Sequence, residues 1–369
     1  MINLLEHKKI KRSLLGLVFL SGVLVLKLWG INGSKTFSWL NHGEFAVASA
    51  HQPESQSAKI RQIVNKQHLW GTLLYTSDSG HKLHYQTFGY ANQATGKKNG
   101  INELYPIASL QKGYTGSLIQ MLINQHLLTM NTKLAQFYPQ IPYAKKITIR
   151  ELLDHTSGIQ MGEPVPSTKL VSQSQAINWT LKHLKSTGKF NWNYSNANYT
   201  LLAGIISQVT QRPYYEVLQA EILQPLHLSQ TVTWQTASQK FTGQAYFNNQ
   251  TRVYPVSQPL LSSEFGCGNL YTDVTDYYYF VNALQSQRLF KQQAYDQLTQ
   301  DHTSYSGGFY YQKNFQRADG ADNHYFSFYY GTKNNKITVI FFANRSPSDY
   351  AGRVAVKEIA NLLAALPKS

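Results

Sequence analysis

Apolar and polar positions follow a strand-like period near both ends of the chain and a helical period between them. Near the beginning, residues 70–75 and 84–90 flank the turn Asp78-Ser79-Gly80, which predicts a hairpin. Near the end, residues 325–330 and 337–342 flank a second polar turn and predict another hairpin. Strands are therefore expected at both ends of the folded domain.

Helical spacing dominates the middle of the chain. It predicts helices at 173–185 and 196–211, a shorter helix beginning near Thr148 with Glu151 in the capping-box position, and a last helix at 348–365. Strands at both ends with helices between them indicate an α/β (α+β) fold. In this fold one antiparallel sheet, built from both termini, is flanked by helices and carries an inserted, mostly helical lobe.

Residues 1–32 differ in kind from the rest. A basic leader that ends at Arg12 precedes the apolar run 13–26. This pattern predicts a membrane anchor with its N-terminus in the cytoplasm and the remainder of the chain outside the cell. A cleaved signal segment is the alternative, although the nearest cluster of small residues, 46–50, lies far downstream for a cleavage site.

The remaining chain divides by composition. Residues 33–58 are polar and predict a linker, and residues 59–365 predict one exported domain. Within that domain we expect an α/β lobe of about 59–125 and 265–365 and a helical lobe of about 126–264.

Ser109 and Lys112 are the first candidates for chemistry. They lie three residues apart at the start of a long helical pattern, so both side chains fall on one helix face, where an amine can activate a hydroxyl. The same spacing occurs at Ser79–Lys82 and Ser186–Lys189, but neither opens a helix. On spacing alone, a capping serine beside an exposed lysine remains the alternative.

Net charge and cysteine content limit the kinds of function that are expected. The chain carries 34 basic and 19 acidic residues, a net charge of +15, and Cys267 is its single cysteine. An exported, basic, disulfide-free domain is typical of a bacterial surface protein that meets anionic envelope polymers or lipid head groups rather than nucleic acid. Simple solubility explains the charge equally well. The 12 histidines are scattered without metal-ligand spacing, so we expect neither metal nor cofactor, and we expect a monomer.

With these residues in order, the chain resembles the serine β-lactamase and penicillin-binding-protein-like superfamily, and most of all its class C β-lactamase, esterase and carboxypeptidase branch. The resemblance covers roughly residues 59–365 and implies a β-lactamase-like fold. Besides the serine–lysine motif, the following segments resemble family hallmarks in the family's order: 89–92, 152–158, 194–196, 224–226 and 266–270.

The resemblance also implies roles for individual residues. Ser109 resembles the nucleophile, and its backbone N–H resembles one donor of the oxyanion hole. Lys112 resembles the base, which requires a depressed pKa. Tyr194 resembles the second proton-transfer group, and Asn196 resembles the side chain that orients Lys112 and the substrate carbonyl. His155 resembles a packed structural position.

The family's third motif, a lysine or histidine followed by threonine or serine and glycine, is missing. Counting back from the last strand places its slot at Ala318-Asp319-Gly320, with the backbone N–H of Ala321 as the second oxyanion donor. A shift of one residue would put Arg317 in the slot instead.

The absence of the lysine or histidine of the third motif changes which substrate is expected. D-Alanyl-D-alanine peptides and β-lactams present a carboxylate that this cation holds, whereas a D-alanyl ester of a teichoic acid presents an ammonium. Asp319 or Asp322 is the expected partner of that ammonium. The chain is similar to family members that remove D-alanine from teichoic acids, and this is the expected activity. The alternatives are a D-alanyl-D-alanine carboxypeptidase, a general esterase or β-lactamase, and a catalytically silent binder of the envelope.

Overall fold

The computed structural model describes residues 55–77, 80, 82–239, 243–247, 251–299, 304–312 and 314–365. The predicted membrane anchor, most of the predicted linker, and Asp78 and Ser79 of the predicted turn lie outside these residues. Among the helices that the structure describes, none combines the length and the apolar character needed to cross a bilayer.

Eleven α-helices are described. Their bounds are α1 Gln56–Lys66, α2 Gln111–Asn124, α3 Ile149–Leu153, α4 Gln173–His183, α5 Asn196–Thr210, α6 Tyr214–Leu218, α7 Trp234–Ala237, α8 Gln258–Ser263, α9 Val274–Gln285, α10 Gln292–Thr299 and α11 Asp349–Ala364. Ser55 caps α1, so this helix begins inside the segment predicted as linker. Thr148 and Glu151 form the predicted capping box at the start of α3.

Sixteen strands are described in the same residues. Their bounds are β1 Trp70–Ser77, β2 Lys82–Phe88, β3 Tyr90–Asn92, β4 Lys97–Lys98, β5 Tyr105–Pro106, β6 Ile159–Gln160, β7 Lys185–Ser186, β8 Val232–Thr233, β9 Ala245–Tyr246, β10 Val253–Tyr254, β11 Leu270–Thr272, β12 Tyr305–Ser306, β13 Phe309–Tyr311, β14 Phe315–Asp322, β15 Tyr325–Thr332 and β16 Thr338–Arg345.

The main sheet has seven strands in the order β12-β13-β14-β15-β16-β1-β2. Both predicted hairpins are present, as β1–β2 and β15–β16, and β1 from the start of the domain pairs antiparallel with β16 from its end. The expected antiparallel sheet from both termini is therefore confirmed.

Both faces of the main sheet are buried. Successive side chains of a strand point to opposite sides, and helices cover each side. Leu73 and Phe341 pack with α1 and α11 in one core, whereas Leu74 and Phe342 belong to a second core that also contains side chains of α2, α5 and α9. Fully burying such a side chain contributes about 1.5–3 kcal/mol. The second core holds the start of α2 against the sheet, and this contact positions the candidate site.

Candidate active site

Ser109 lies in a short 3-10 helix, Ala108–Leu110, which leads directly into α2. The preceding Ala108 is buried and has a φ of 46°, a left-handed conformation that costs energy for a residue with a Cβ. This turn sets the direction in which the Ser109 side chain leaves the helix start.

Two side chains hydrogen bond to the hydroxyl of Ser109. Nζ of Lys112 donates to Oγ at 2.9 Å, and the hydroxyl of Tyr194 donates to the same atom at 2.6 Å. The structure therefore brings together three of the four residues predicted to be catalytic, although 85 residues separate Ser109 from Tyr194. Both partners are of the types that move protons in acyl transfer.

Lys112 is fully buried, and its Nζ also donates to the backbone oxygen of Cys267 at 2.9 Å. Burial lowers the pKa of this amine, but the charges of Tyr194, Cys267 and Glu264 together outweigh burial and raise the pKa above its usual value. The resemblance implied the opposite direction, since a dry site by itself lowers the pKa of an amine.

His155 holds Tyr194 in place. The two rings lie 4.3 Å apart, and the backbone oxygen of His155 accepts a hydrogen bond from the N–H of Asn193. Nδ1 of His155 accepts from the backbone N–H of Ser195 and from Nδ2 of Asn198. Burial, with a further contribution from the charge of Lys112, places the pKa of His155 well below its usual value. The imidazole is neutral and packs as the resemblance implied.

The predicted contact between Asn196 and Lys112 is not formed. Nδ2 of Asn196 donates instead to Oε1 of Glu163 at 2.7 Å, and its buried Oδ1 has no hydrogen-bond partner among the described residues. Asn196 is the first residue of α5, and its partner Glu163 is exposed and has a left-handed φ of 53°. Sequence spacing did not show this loop next to the motif.

Gly320 of β14 lies directly against the Ser109 turn. A Cβ at this position would come within 2.5 Å of the backbone oxygen of Ile107 and 3.1 Å of the backbone nitrogen of Ser109. Ala318 and Gly320 are buried on the inner face of β14. The counted position of the third motif thus lies beside Ser109.

The edge of β14 next to the site is open at this end. Strand β13 pairs with Arg317 and Gln316 only, so in the described part of the chain no strand covers the edge from Ala318 onward. Backbone groups on an unpaired edge are free to bind other partners. This arrangement is compatible with the predicted role of the Ala321 N–H.

Asp319, one of the two expected partners of a substrate ammonium, already has cationic partners in the structure. Arg317 and Asp319 are two residues apart on the outer face of β14 and form an ion pair, and Arg353 of α11 approaches Asp319 to 3.6 Å. The negative charge of Asp319 is already balanced on that face. Strand alternation places this side chain on the face opposite to Ala318 and Gly320, where it lines the small cavity at the site together with Tyr194.

Asp322 lies on the inner face and is buried. One of its oxygens accepts a hydrogen bond from Nδ2 of Asn323 at 2.8 Å, whereas Oδ1 has no hydrogen-bond partner among the described residues. Burial raises the pKa of Asp322 to about 7, against the hydrogen bonds of Asn323, and the charge of Glu163 adds to the rise.

Glu264 and Glu163 complete an acidic cluster with Asp322, and the sequence did not predict either glutamate. Burial and the charges of Asp322 and Glu163 raise the pKa of Glu264 well above its usual value, although Lys112 opposes them. Oε2 of Glu264 is a further buried oxygen without a hydrogen-bond partner in the described ranges. The available signal was the position of Glu264, two residues before the 266–270 motif in a chain poor in acidic residues.

A small cavity of about 190 Å³ opens at the site and is lined by Tyr194, Asp319, Gly320, Ala321 and Arg353, among others. In the described ranges, no three His, Cys, Asp or Glu side chains are arranged to hold a metal ion. The groups at hand are a hydroxyl, a phenol, an ammonium and backbone N–H groups.

Comparison with known proteins places this geometry in a family. The family model described as Beta-lactamase matches residues 57–363. The chain belongs to the beta-lactamase family. The β-lactamase-like fold expected from the resemblance is confirmed by this match and by the sheet and helices described above.

The chain is similar to a hydrolase of known name and to two solved structures. The teichoic acid D-alanine hydrolase of Staphylococcus aureus is 27% identical over 283 residues, which span 74% of this chain and 69% of that protein. The crystal structure of FmtA from Staphylococcus aureus has a TM-score of 0.74 at 24% identity and covers 84% of this chain and 86% of its own. The D-amino acid amidase of Ochrobactrum anthropi has a TM-score of 0.75 at 18% identity, covering 84% and 99%. The two structural likenesses show the fold.

As a member of this family the protein is a serine hydrolase, and its geometry suits acyl transfer. Once the Tyr194–Lys112 pair has released one proton, the Ser109 hydroxyl can attack a carbonyl while its own proton passes to that pair. A protonated Lys112 favours negative charge on the oxygen atoms next to it, whether on Tyr194 or on the attacking Ser109.

Proposed function

We propose that this protein is a cell-envelope esterase that removes D-alanyl groups from an anionic polyol polymer of the teichoic acid type, through an acyl-enzyme on Ser109. The observation that carries this proposal is the acidic cluster of Glu163, Glu264 and Asp322 beside the site, together with the uncharged Ala318 where the family has a cation.

The carboxyl groups of the cluster discriminate between substrate types. A carboxylate-bearing substrate would place a negative charge next to the buried carboxyl groups of Glu264 and Asp322, which is costly in a desolvated site. An ammonium would favour their ionised forms and donate hydrogen bonds to oxygens of Asn196, Glu264 and Asp322 that have no partner among the described residues. A D-alanyl ester carries that ammonium next to the scissile carbonyl.

The reaction proceeds in two balanced steps. One proton first leaves the Tyr194–Lys112 pair to solvent. Oγ of Ser109 then attacks the ester carbonyl, its proton takes the free place on that pair, and the polymer hydroxyl leaves with a proton returned from the pair. Water then attacks the D-alanyl ester of Ser109, releasing D-alanine and restoring the hydroxyl. The N–H groups of Ser109 and Ala321 are the proposed donors to the oxyanion in both steps.

The similarity to a teichoic acid D-alanine hydrolase supports the same substrate class. The proposal includes the location, because the basic leader and apolar run at residues 1–32 favour anchoring with the domain outside the cell. An exported site meets envelope polymers directly.

The test compares two substrates and two serine variants. Full-length protein is given D-alanylated lipoteichoic acid or a muropeptide ending in D-alanyl-D-alanine, and free D-alanine is measured. Ser109→Ala should lose D-alanine release by at least about 10³-fold. Ser186→Ala is the matched control, since Ser186 has the same spacing to a lysine but its hydroxyl donates to the backbone oxygen of Pro142.

The outcomes are distinct. Release from lipoteichoic acid that depends on Ser109 and not on Ser186 supports the proposal. Ser109-dependent release from the muropeptide alone would instead assign a carboxypeptidase. If neither substrate is turned over and a fluorophosphonate leaves Ser109 unlabelled, the protein is a silent binder.

A further inference from the structure

A second cavity, separate from the candidate active site, is lined by basic side chains. It has a volume of about 550 Å³ and lies between α1, the start of β1 and the end of β16. Arg61, His68, Lys98 and Arg345 line it, and none of its ten lining residues is acidic. We call it the basic cleft.

Aromatic rings, rather than carboxylates, hold the cations of the basic cleft. The guanidinium of Arg345 lies 3.6 Å from the centre of the Trp70 ring, and Nζ of Lys98 lies 3.4 Å from that of Tyr90. Arg61 lies 5.0 Å from the ring of Phe88. A ring face attracts the cation without taking up its N–H donors, which stay available to an anion.

No carboxylate in the described part of the chain forms an ion pair with the cations Arg61, Lys98 and Arg345 of the basic cleft. Nε of Arg345 is buried and has no hydrogen-bond partner there. A buried, charged donor without a partner is costly, and an anionic ligand would relieve that cost.

The guanidinium of Arg345 lies on the ring of Trp70, and the backbone turn at Gly89 allows this ring to pack closely. Gly89 has a φ of 66°, and a Cβ on it would come within 2.1 Å of the Trp70 indole, so this glycine lets the ring lie against the turn. Trp70 also contacts the rings of Tyr90 and Tyr246 edge-on. The guanidinium of Arg345 is thereby held in one place.

The basic cleft opens at the same end of the main sheet as the candidate active site. Ala321, Phe326, Ala343 and Gly71 pair in one row across β14, β15, β16 and β1. Trp70 directly precedes Gly71 in the chain and pairs with Arg345. Three strand spacings correspond to about 14 Å, a distance that a short run of polyol phosphate units spans.

We propose that the basic cleft binds a phosphodiester group of the same polymer whose D-alanyl ester is cleaved at Ser109. The identity of the polymer rests on the proposed function, whereas phosphodiester binding does not require catalysis. Arginine matches phosphate oxygens with paired N–H donors, and the aromatic platform presents the Arg345 donors to the ligand. Binding there holds neighbouring repeats of the polymer within reach of Ser109.

The experiment measures binding of poly(glycerol phosphate) that carries no D-alanine, by titration calorimetry on full-length protein. The double variant Arg61→Gln/Lys98→Gln should bind about tenfold more weakly or worse, because two charge-assisted contacts are lost. Lys145→Gln/Lys182→Gln, which removes two exposed charges outside the basic cleft, should bind like the wild type.

Other outcomes overturn the proposal. Equal weakening in both double variants would assign binding to overall charge, and unchanged affinity in the cleft variant would exclude the cleft. Vesicles of phosphatidylglycerol form a second arm, because loss of vesicle binding alone would assign the cleft to lipid head groups. Wild-type protein that binds the polymer but releases no D-alanine from its alanylated form would refute the proposed esterase and leave the cleft standing.

Discussion

At the scale of single residues, the hydrogen bonds around Ser109 determine which atoms can exchange a proton. Tyr194 and Lys112 both hydrogen bond to the Ser109 hydroxyl, so one proton can be exchanged among three atoms within hydrogen-bond distance. Spacing and the tyrosine motif predicted these three residues. The direction of the Lys112 pKa shift was not predictable, because it depends on Tyr194, Cys267 and Glu264, which only folding brings to this amine.

The raised pKa of Asp322 predicts a pH dependence of stability. The folded pKa of about 7 lies above the usual value of 3.8 for an aspartate, so the folded state holds a proton that the unfolded state releases between these values. Stability from this group is therefore full at low pH and is lost as pH rises toward 7. Between pH 5 and pH 8 we expect a loss on the order of 2 kcal/mol.

Asp322→Asn should remove that part of the pH dependence. Urea unfolding of wild type and variant at pH 5 and pH 8 measures it, and the variant should lose less stability across the range. Glu216→Gln, at an exposed position on α6, serves as the control with a wild-type profile. Parallel profiles for wild type and Asp322→Asn would contradict the assignment.

Among the elements, β14 contributes most to the site. Its alternation sends Arg317 and Asp319 outward and Ala318, Gly320 and Asp322 inward. The position of the strand in the chain was predictable by counting, but the face of each side chain depends on register, and a one-residue shift exchanges the faces. For this reason the sequence left both aspartates as candidates. The structure pairs Asp319 with arginines and leaves Oδ1 of Asp322 without a hydrogen-bond partner among the described residues.

Gly320→Ala tests the contact between β14 and the Ser109 turn. The added methyl would collide with the backbone oxygen of Ile107 and press on the nitrogen of Ser109, so kcat should fall by about 10²-fold or more through displacement of the oxyanion donors. Stability should fall by about 1–3 kcal/mol.

Gly100→Ala is the matched control, because a Cβ at Gly100 meets nothing within 4 Å. Ester hydrolysis and thermal unfolding are measured for both variants. Activity of Gly320→Ala within about threefold of wild type would show that the turn does not depend on this close approach.

At the scale of the whole molecule, charge is distributed unevenly. The chain carries a net charge of +15, yet acidic side chains gather beside Ser109 and basic ones line the cleft at the same end of the sheet. Such a separation suits a ligand with alternating phosphates and ammonium groups. Net charge alone, as read from composition, did not distinguish this arrangement from simple solubility.

Salt should therefore act differently on large and small substrates. Raising NaCl from about 50 to about 500 mM shortens the screening length and should raise KM for alanylated lipoteichoic acid several-fold. A small D-alanyl ester without phosphates should show little change, and D-alanine release measures both. An equal effect on the two substrates would indicate that salt acts on the site itself.

The sequence by itself determined the elements and the reacting groups. Alternating apolar positions specified the two hairpins, helical spacing specified α4, α5 and α11, and motif order pointed to Ser109, Lys112 and Tyr194. These features depend on residues close together in the chain. Local periodicity and short motifs are sufficient to specify them.

Tertiary structure alone decided the electrostatics. It placed Glu163, Glu264 and Asp322 around one site, paired Asp319 with two arginines, and joined α1 and β16 into the basic cleft. The pKa of a side chain, and whether a cation has a carboxylate partner, depend on burial and on neighbours distant in the sequence. The spacing of apolar residues contains no information about either. The reacting groups are recognisable from short motifs in the chain, whereas the charges that bear on the proposed substrate depend on how distant segments pack together.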